Sequence, residues 1–178
     1  MIKILNGRKL TNKMKKPLNN KSASSLYKYI ISMAFFLLIV YFGVYVYASK
    51  IHEIVEMQMH MFANGLVDVI SENKQITNGE HNYYSQQVDN YKFYMGENYT
   101  IYYKIYRYDS ATDTMQKTAT YNYHGNDAIA TPIVLDSKDT IRVEIVSQPD
   151  TMLQKVSKSI AGIDGDVYCI GFAEGGVD

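Results

Sequence analysis

Between Tyr29 and Ala48 the chain reads YIISMAFFLLIVYFGVYVYA, twenty residues without one charged side chain. As a helix rising about 1.5 Å per residue, such a run reaches roughly 30 Å, the apolar thickness of a bilayer. A helix of a soluble domain needs one apolar stripe, whereas this segment is apolar around its whole circumference. Tyr27 and Tyr29 lie near one end and Tyr45 and Tyr47 near the other, where amphipathic rings are stable at headgroup depth. We therefore expect a membrane span over 29–48, anchored by Tyr29, Phe35, Phe36, Leu37, Leu38, Ile39, Val40, Tyr45 and Tyr47. A cleaved leader is the competing reading, because Val46-Tyr47-Ala48 has the small-x-small form of a cleavage site. Leader apolar regions usually run about 7–15 residues, and here a helical pattern continues directly from a longer one. Retention is the expectation.

Charge is distributed unevenly around this run. The chain as a whole balances 18 basic against 18 acidic residues. Residues 1–28 hold eight Lys/Arg and no acid, while residues 49–178 hold 10 basic and 18 acidic residues, a formal net charge of −8. Cations beside a first span are retained in the cytoplasm, so Lys9, Lys13, Lys15, Lys16 and Lys28 predict an inside N-terminus and an outside C-terminal part. Anionic inner-leaflet lipid attracts the same lysines, which leaves nucleic-acid binding without a separate signal. The single cysteine, Cys169, excludes an internal disulfide and suits a bacterial surface better than a bridge-stapled secreted module. Within VYCIGF it reads as a small buried hydrophobe.

The expected organisation is a basic, mobile arm over 1–25, one long helix over 26–73, and an extracytoplasmic α+β domain over 74–178. Ser24 or Ser25 is placed to cap the helix. Past the span Ile51, Val55, Phe62, Leu66, Val69 and Ile70 recur at spacings of three and four, which puts them on one packing face. Gly65 weakens the helix locally, and NKQITNG (73–79) ends it. Residues 81–97 predict a short helix packed back on the first. Strict alternation then begins: NYTIYYKIYRY (98–108) and TIRVEIV (140–146) predict strands with one buried face. MQKTATYNY (115–123) is the return strand of a hairpin across DSATDT. A short strand at 133–135, a helix with Leu153, Val156 and Ile160 toward the core, a final strand over 167–173 and a polar tail from Glu174 complete the order. The fold class is thus α+β, a pilin-like lollipop whose long N-terminal helix, transmembrane then amphipathic, packs on a small antiparallel sheet. A sheet face rich in the chain's seventeen tyrosines suits subunit contacts.

Candidate chemistry is thin. His52, Glu56 and His60 share a helix face, but His52 and His60 are eight residues and roughly 12 Å apart, too far to share an ion; we expect a solvated face. Met57, Met59 and Met61 alternate around the helix and read as packing rather than as soft-metal ligands. His81 and His124 read as surface histidines. Asp136/Asp139 and Asp164/Asp166 sit in turns, and GIDGD lacks the ligand set of a calcium loop. Asn98-Tyr99-Thr100 matches a glycosylation acceptor but begins a patterned strand. No phosphate loop, nucleophile elbow or Cys-x-x-Cys occurs, so no catalytic, cofactor-binding or metal residue is nominated and the expectation is a non-enzyme.

The layout resembles the TadE-like pseudopilins of tight-adherence pilus systems and, more closely, uncharacterised single-span proteins of Gram-positive mobile elements. YIISMAFFLLIVYFGVYVYASKIHEIVEMQ, the break near ITNGE, and DTIRVEIVSQPDTMLQKVSKSIAG carry the resemblance. It implies a structural or accessory subunit of a pilus, secretion or conjugation machine, in the cytoplasmic membrane, with membrane lipid, machine subunits or further copies of itself as partners. Processed pilins of this class carry a Gly before the apolar run and a Glu five residues after the cut. SASSLYKYIISMAF (22–35) has neither, which favours a permanently anchored component. The expectation from a different class is a surface-tethered binding module for cell-wall material or another extracellular ligand.

Overall fold

The computed structural model describes residues 20–162 and 165–177. The arm expected over 1–25, apart from its last six residues, therefore lies outside the described residues, as do Lys9, Lys13, Lys15, Lys16 and Asp164. The chain divides into two compact units, one ending at Val40 and one beginning at Tyr41. Helix α1 runs Asn20–Asn73, six residues earlier than the sequence predicts, so Ser24 and Ser25 lie inside it rather than at its cap. Nothing between Pro17 and the apolar run breaks a helix, and propagation is cheap once a long helix is nucleated.

In the second unit, Lys74 turns the chain with φ 54° and a two-residue strand follows, β1 (Gln75–Ile76). It pairs with β4 (Ile133–Val134), a partnership that a turn-like NKQITNG does not announce. Helix α2 (Asn78–Asp89) opens with a capping box: the Glu80 amide donates to Thr77 Oγ1 at 3.4 Å and the Thr77 amide to Glu80 Oε2 at 2.9 Å. Such reciprocal bonds satisfy otherwise orphan amides. Helix α3 (Lys92–Met95) stops at Gly96, whose φ of 97° suits only glycine.

Strands β2 (Tyr99–Asp109), β3 (Thr114–His124), β5 (Asp139–Ser147) and β6 (Ile170–Gly176) form an antiparallel sheet in the order β3-β2-β5-β6. Helix α4 (Met152–Ala161), capped by Thr151, precedes β6. Register places Ile101 opposite Ile145, Tyr103 opposite Val143 and Ile105 opposite Ile141, all buried on one face. The other face carries Tyr102, Lys104, Arg142 and Glu144, with Lys104 Nζ 2.5 Å and Arg142 Nε 2.8 Å from the Glu144 carboxylate. Period two thus divides apolar from polar as the alternation predicts.

The C-terminal half of α1 packs on the apolar face, giving the α+β fold. Val55, Leu66 and Ile70 are buried as expected, whereas Ile51, Phe62 and Val69 are only partly so. Met59, Ala63 and Val67, outside the predicted face, are buried as well. The cause is β6, which begins three residues later than predicted. Its 171, 173 and 175 positions face the helix, and all three are Gly or Ala. A Cβ on Gly171 would lie 2.2 Å from the Met59 carbonyl carbon, and one on Gly175 would lie 2.5 Å from Val67 Cγ1. Strand and helix backbones meet where side chains are smallest, so the covered face rotates toward Met59, Ala63 and Val67. The expected polar tail from Glu174 is likewise strand, and Val177 beyond it is buried with its amide on the Asp139 carbonyl at 2.9 Å. Gly65 has a packing role too: it leaves room for the Tyr84 ring of α2.

Candidate functional site

The strongest polar constellation in the sequence becomes a docking rail. Strand β6 is an edge strand, and its unpaired main-chain groups face α1. The Ile170 amide donates to Glu56 Oε1 at 3.4 Å, and the Phe172 amide donates to His60 Nδ1 at 3.2 Å. The Phe172 carbonyl lies 3.0 Å from the same nitrogen, so the imidazole tautomer selects which of the two groups is bonded. The His60 ring also meets Phe172 edge-on at 4.9 Å. One turn earlier, His52 Nδ1 lies 3.2 Å from Cys169 Sγ, and its Nε2 lies 3.5 Å from Glu56 Oε1. The solvated face expected for His52, Glu56 and His60 is thus corrected: spacing of four residues matches the advance of the strand edge. An open edge invites pairing with another chain, and the helix closes it.

Cys169, His52 and Glu56 align as a thiol, a base and a carboxylate, the order of a nucleophilic triad. The environment opposes that chemistry. Cys169 is fully buried, and burial, with Glu56 nearby, pushes its thiol up to about 12. A nucleophile must be thiolate, so this sulfur is a packed hydrophobe with one polar neighbour. The thiol and the carboxylate approach opposite ring nitrogens of His52, as they do in a triad, so it is the burial of the thiol that opposes the chemistry. Among the described residues no group of three or more His, Cys, Asp or Glu is arranged to hold a metal ion. Of the three methionines, Met59 is buried while Met57 and Met61 are exposed, as alternate helical positions require.

His81 departs furthest from its expectation. It is fully buried under α2, not at the surface. Its Nδ1 lies 2.9 Å from Tyr103 Oη and its Nε2 lies 3.4 Å from Ser85 Oγ, which donates to the Gly125 carbonyl at 3.1 Å. The Tyr123 ring flanks it at 5.2 Å. Burial lowers the imidazole below its usual value, with Asp127 opposing, and burial raises the Tyr103 phenol. Tyr99 Oη donates toward the Ser85 carbonyl and Asp89 Oδ1, each at 2.9 Å. This network ties α2 to the β2–β3 hairpin. The i, i+4 pair His81/Ser85 was its only local signal. His124 is exposed as expected, and its Nδ1 lies 2.9 Å from Thr100 Oγ1.

The Asp136/Asp139 pair does more than turn the chain. Arg107 Nε donates to Asp139 Oδ1 at 2.7 Å, and its Nη2 lies 2.5 Å from Asp136 Oδ2. The Arg107 hydrogen bond holds the Asp139 carboxyl below its ordinary range. Asp166 is exposed, with the Tyr168 hydroxyl 3.4 Å from its Oδ2. An open cleft of about 560 Å³ runs beside Lys92, His124, Gln148 and Asp150. Lys92 there pairs with Asp89 at 2.8 Å and Asp150 with Lys155 at 3.1 Å, while Glu97 on the same lining is exposed.

The remaining site is the apolar helix itself. Every residue from Ser24 to Tyr47 is exposed, the nominated anchor residues and Lys28 included, and Ala48, the next position, is buried. This helix is long and apolar enough to cross a membrane, and none of its most apolar window is buried within the protein. The chain is therefore an α+β protein whose long apolar helix, the only one among the described residues, is compatible with a single-pass membrane anchor. No family model, curated protein or solved structure matches it.

Proposed function

We propose that the protein is a non-enzymatic, permanently anchored structural or accessory subunit of a bacterial envelope machine of the pilus, secretion or conjugation type. The basic arm faces the cytoplasm of a Gram-positive cell, and the acidic domain faces outward. The observation that carries this reading is the change at Ala48. From Ser24 to Tyr47 α1 exposes every side chain; after Ala48 one face of the same helix is buried under a sheet. Burying one large apolar side chain gains about 1.5–3 kcal/mol, so the exposed run supplies a driving force of tens of kcal/mol toward lipid. The excess of lysines before the run and of carboxylates after it supports the orientation.

The test is fractionation of cells making the full chain with a C-terminal tag. The chain is expected in the alkaline-washed membrane pellet at its full intact mass, with the tag cleaved by protease added outside. Recovery in the supernatant, loss of residues 1–48 from the mass, or a tag protected until the cells are broken would each overturn it.

A further inference from the structure

Beyond Ala48, α1 carries a second apolar stripe that its own sheet leaves uncovered. Tyr47, Ile54, Met57 and Met61 are 58%, 48%, 55% and 58% exposed. With Gly43, beside which there is open space, and Lys50, they occupy positions 43, 47, 50, 54, 57 and 61. The alternating steps of four and three are those of a helix–helix seam. At 3.6 residues per turn these positions cluster tightly on one side of the helix. Val55, Met59, Ala63, Leu66 and Ile70, which pack on the sheet, lie on the opposite side. Two helices joined along the seam would therefore carry their sheets outward, away from one another.

We propose that α1 pairs in parallel and in register with α1 of a second copy of this chain along Gly43–Tyr47–Lys50–Ile54–Met57–Met61. This rests on the anchoring reading above. A common membrane and a common orientation set identical helices parallel and level, so each seam residue meets its own counterpart. The partner must be apolar both at membrane depth and beyond it, which another copy of α1 is. Gly43 permits close approach. Lys50 is the one charged group in the seam, and Glu53, to the side of the seam, pairs with it at 2.6 Å in its own helix and offsets its charge. A lone polar seam residue of this kind selects register at some cost in stability. Asp68 and Glu72, exposed farther along the same side, end the seam by repulsion.

Disulfide scanning in membranes tests this. Full-length chains with Ile54→Cys, Met57→Cys or Met61→Cys, and with Glu53→Cys or Asn73→Cys as off-seam controls, are co-expressed as two differently tagged copies and oxidised. Seam positions are expected to give a product bearing both tags, at least about tenfold above the controls; buried Cys169 should give none. Met57→Glu should abolish crosslinking at Met61→Cys while Cys169 stays protected from alkylation, which shows the domain intact. Equal crosslinking at all five positions, or a seam product containing a different protein, overturns the pairing. Alkaline washing of the same samples separates the two failures. A chain in the pellet without the seam pattern sinks the pairing alone, and a chain in the supernatant sinks the anchoring and the pairing with it.

Discussion

Replacing Gly171 by alanine adds a single methyl, and the structure assigns it a large effect. The new Cβ would lie 2.2 Å from the Met59 carbonyl carbon, 2.4 Å from Met59 Cβ and 2.5 Å from the His60 amide nitrogen. Carbon contacts are comfortable near 3.5–4.0 Å, so β6 must retreat from α1 by more than about 1 Å. The obstacle is helix backbone, which cannot rotate aside. Overpacking of this kind costs about 1–3 kcal/mol. The retreat also loosens the Ile170 and Phe172 amide bonds to Glu56 and His60, at about 1 kcal/mol each. We expect a destabilisation of about 3–5 kcal/mol in all. In urea, with a slope of about 2 kcal/mol per molar, the midpoint of the sheet-bearing domain falls by roughly 1.5–2.5 M, read by near-UV circular dichroism of the detergent-solubilised chain. Two alanine controls order the series. Gly175→Ala meets Val67 Cγ1 at 2.5 Å and Ser71 Oγ at 3.5 Å, side chains rather than helix backbone, so its cost is intermediate. Gly176→Ala meets nothing within 4 Å and should be neutral or stabilising, because a less flexible unfolded chain favours folding. If Gly171→Ala and Gly176→Ala are equally stable, β6 does not lie against the helix backbone and the account of the α1–β6 contact fails.

Acid should weaken the domain through His81. Its folded-state pKa is lowered, so the unfolded state binds the proton more readily, and stability falls as pH drops below the unfolded value of about 6.5. His81→Gln should flatten the slope of stability between pH 7 and pH 5 relative to the unaltered chain, and an unchanged slope would refute the burial argument. Asp139 acts in a lower window. Its folded pKa is depressed by Arg107, so its contribution is full above the unfolded value of about 3.9 and is lost as pH falls through the folded one; Asp139→Asn should be destabilising at pH 7 and indistinguishable from the unaltered chain in strong acid. Cys169, buried with its thiol pushed up to about 12, should resist iodoacetamide in the folded chain at pH 8 and react fully in denaturant. Rapid modification of the native protein would restore the nucleophile reading.

Period and composition made much of the fold legible. TIRVEIV and YTIYYKIY alternate so strictly that both strands, and the face each buries, follow from side-chain direction alone. The long helix was readable as well, although its beginning was set six residues too late. The functional surface was harder. His52, Glu56 and His60 look like any polar helix face, and their partners, Ile170 and Phe172, lie 114 and 112 residues away. No local pattern announces a strand edge arriving from that distance. The small residues at 171, 173 and 175 lack the apolar bulk that marks a buried strand, so the sequence alone reads β6 three residues early and its end as a tail. His81 was misjudged for a related reason: a histidine in a polar-looking helix becomes a core residue only when Tyr103 and Ser85 are brought to its two nitrogens.

The sequence by itself determined which residues avoid water and with what period, because hydrophobicity and backbone geometry act locally and read out directly. It established the apolar helix, the alternating strands and the asymmetry of charge around the run. Which face of α1 the sheet covers, and which it leaves bare from Tyr47 to Met61, was decided only by the tertiary structure. That choice depends on steric fit between backbones distant in sequence, where two glycines allow a closeness that no larger residue permits.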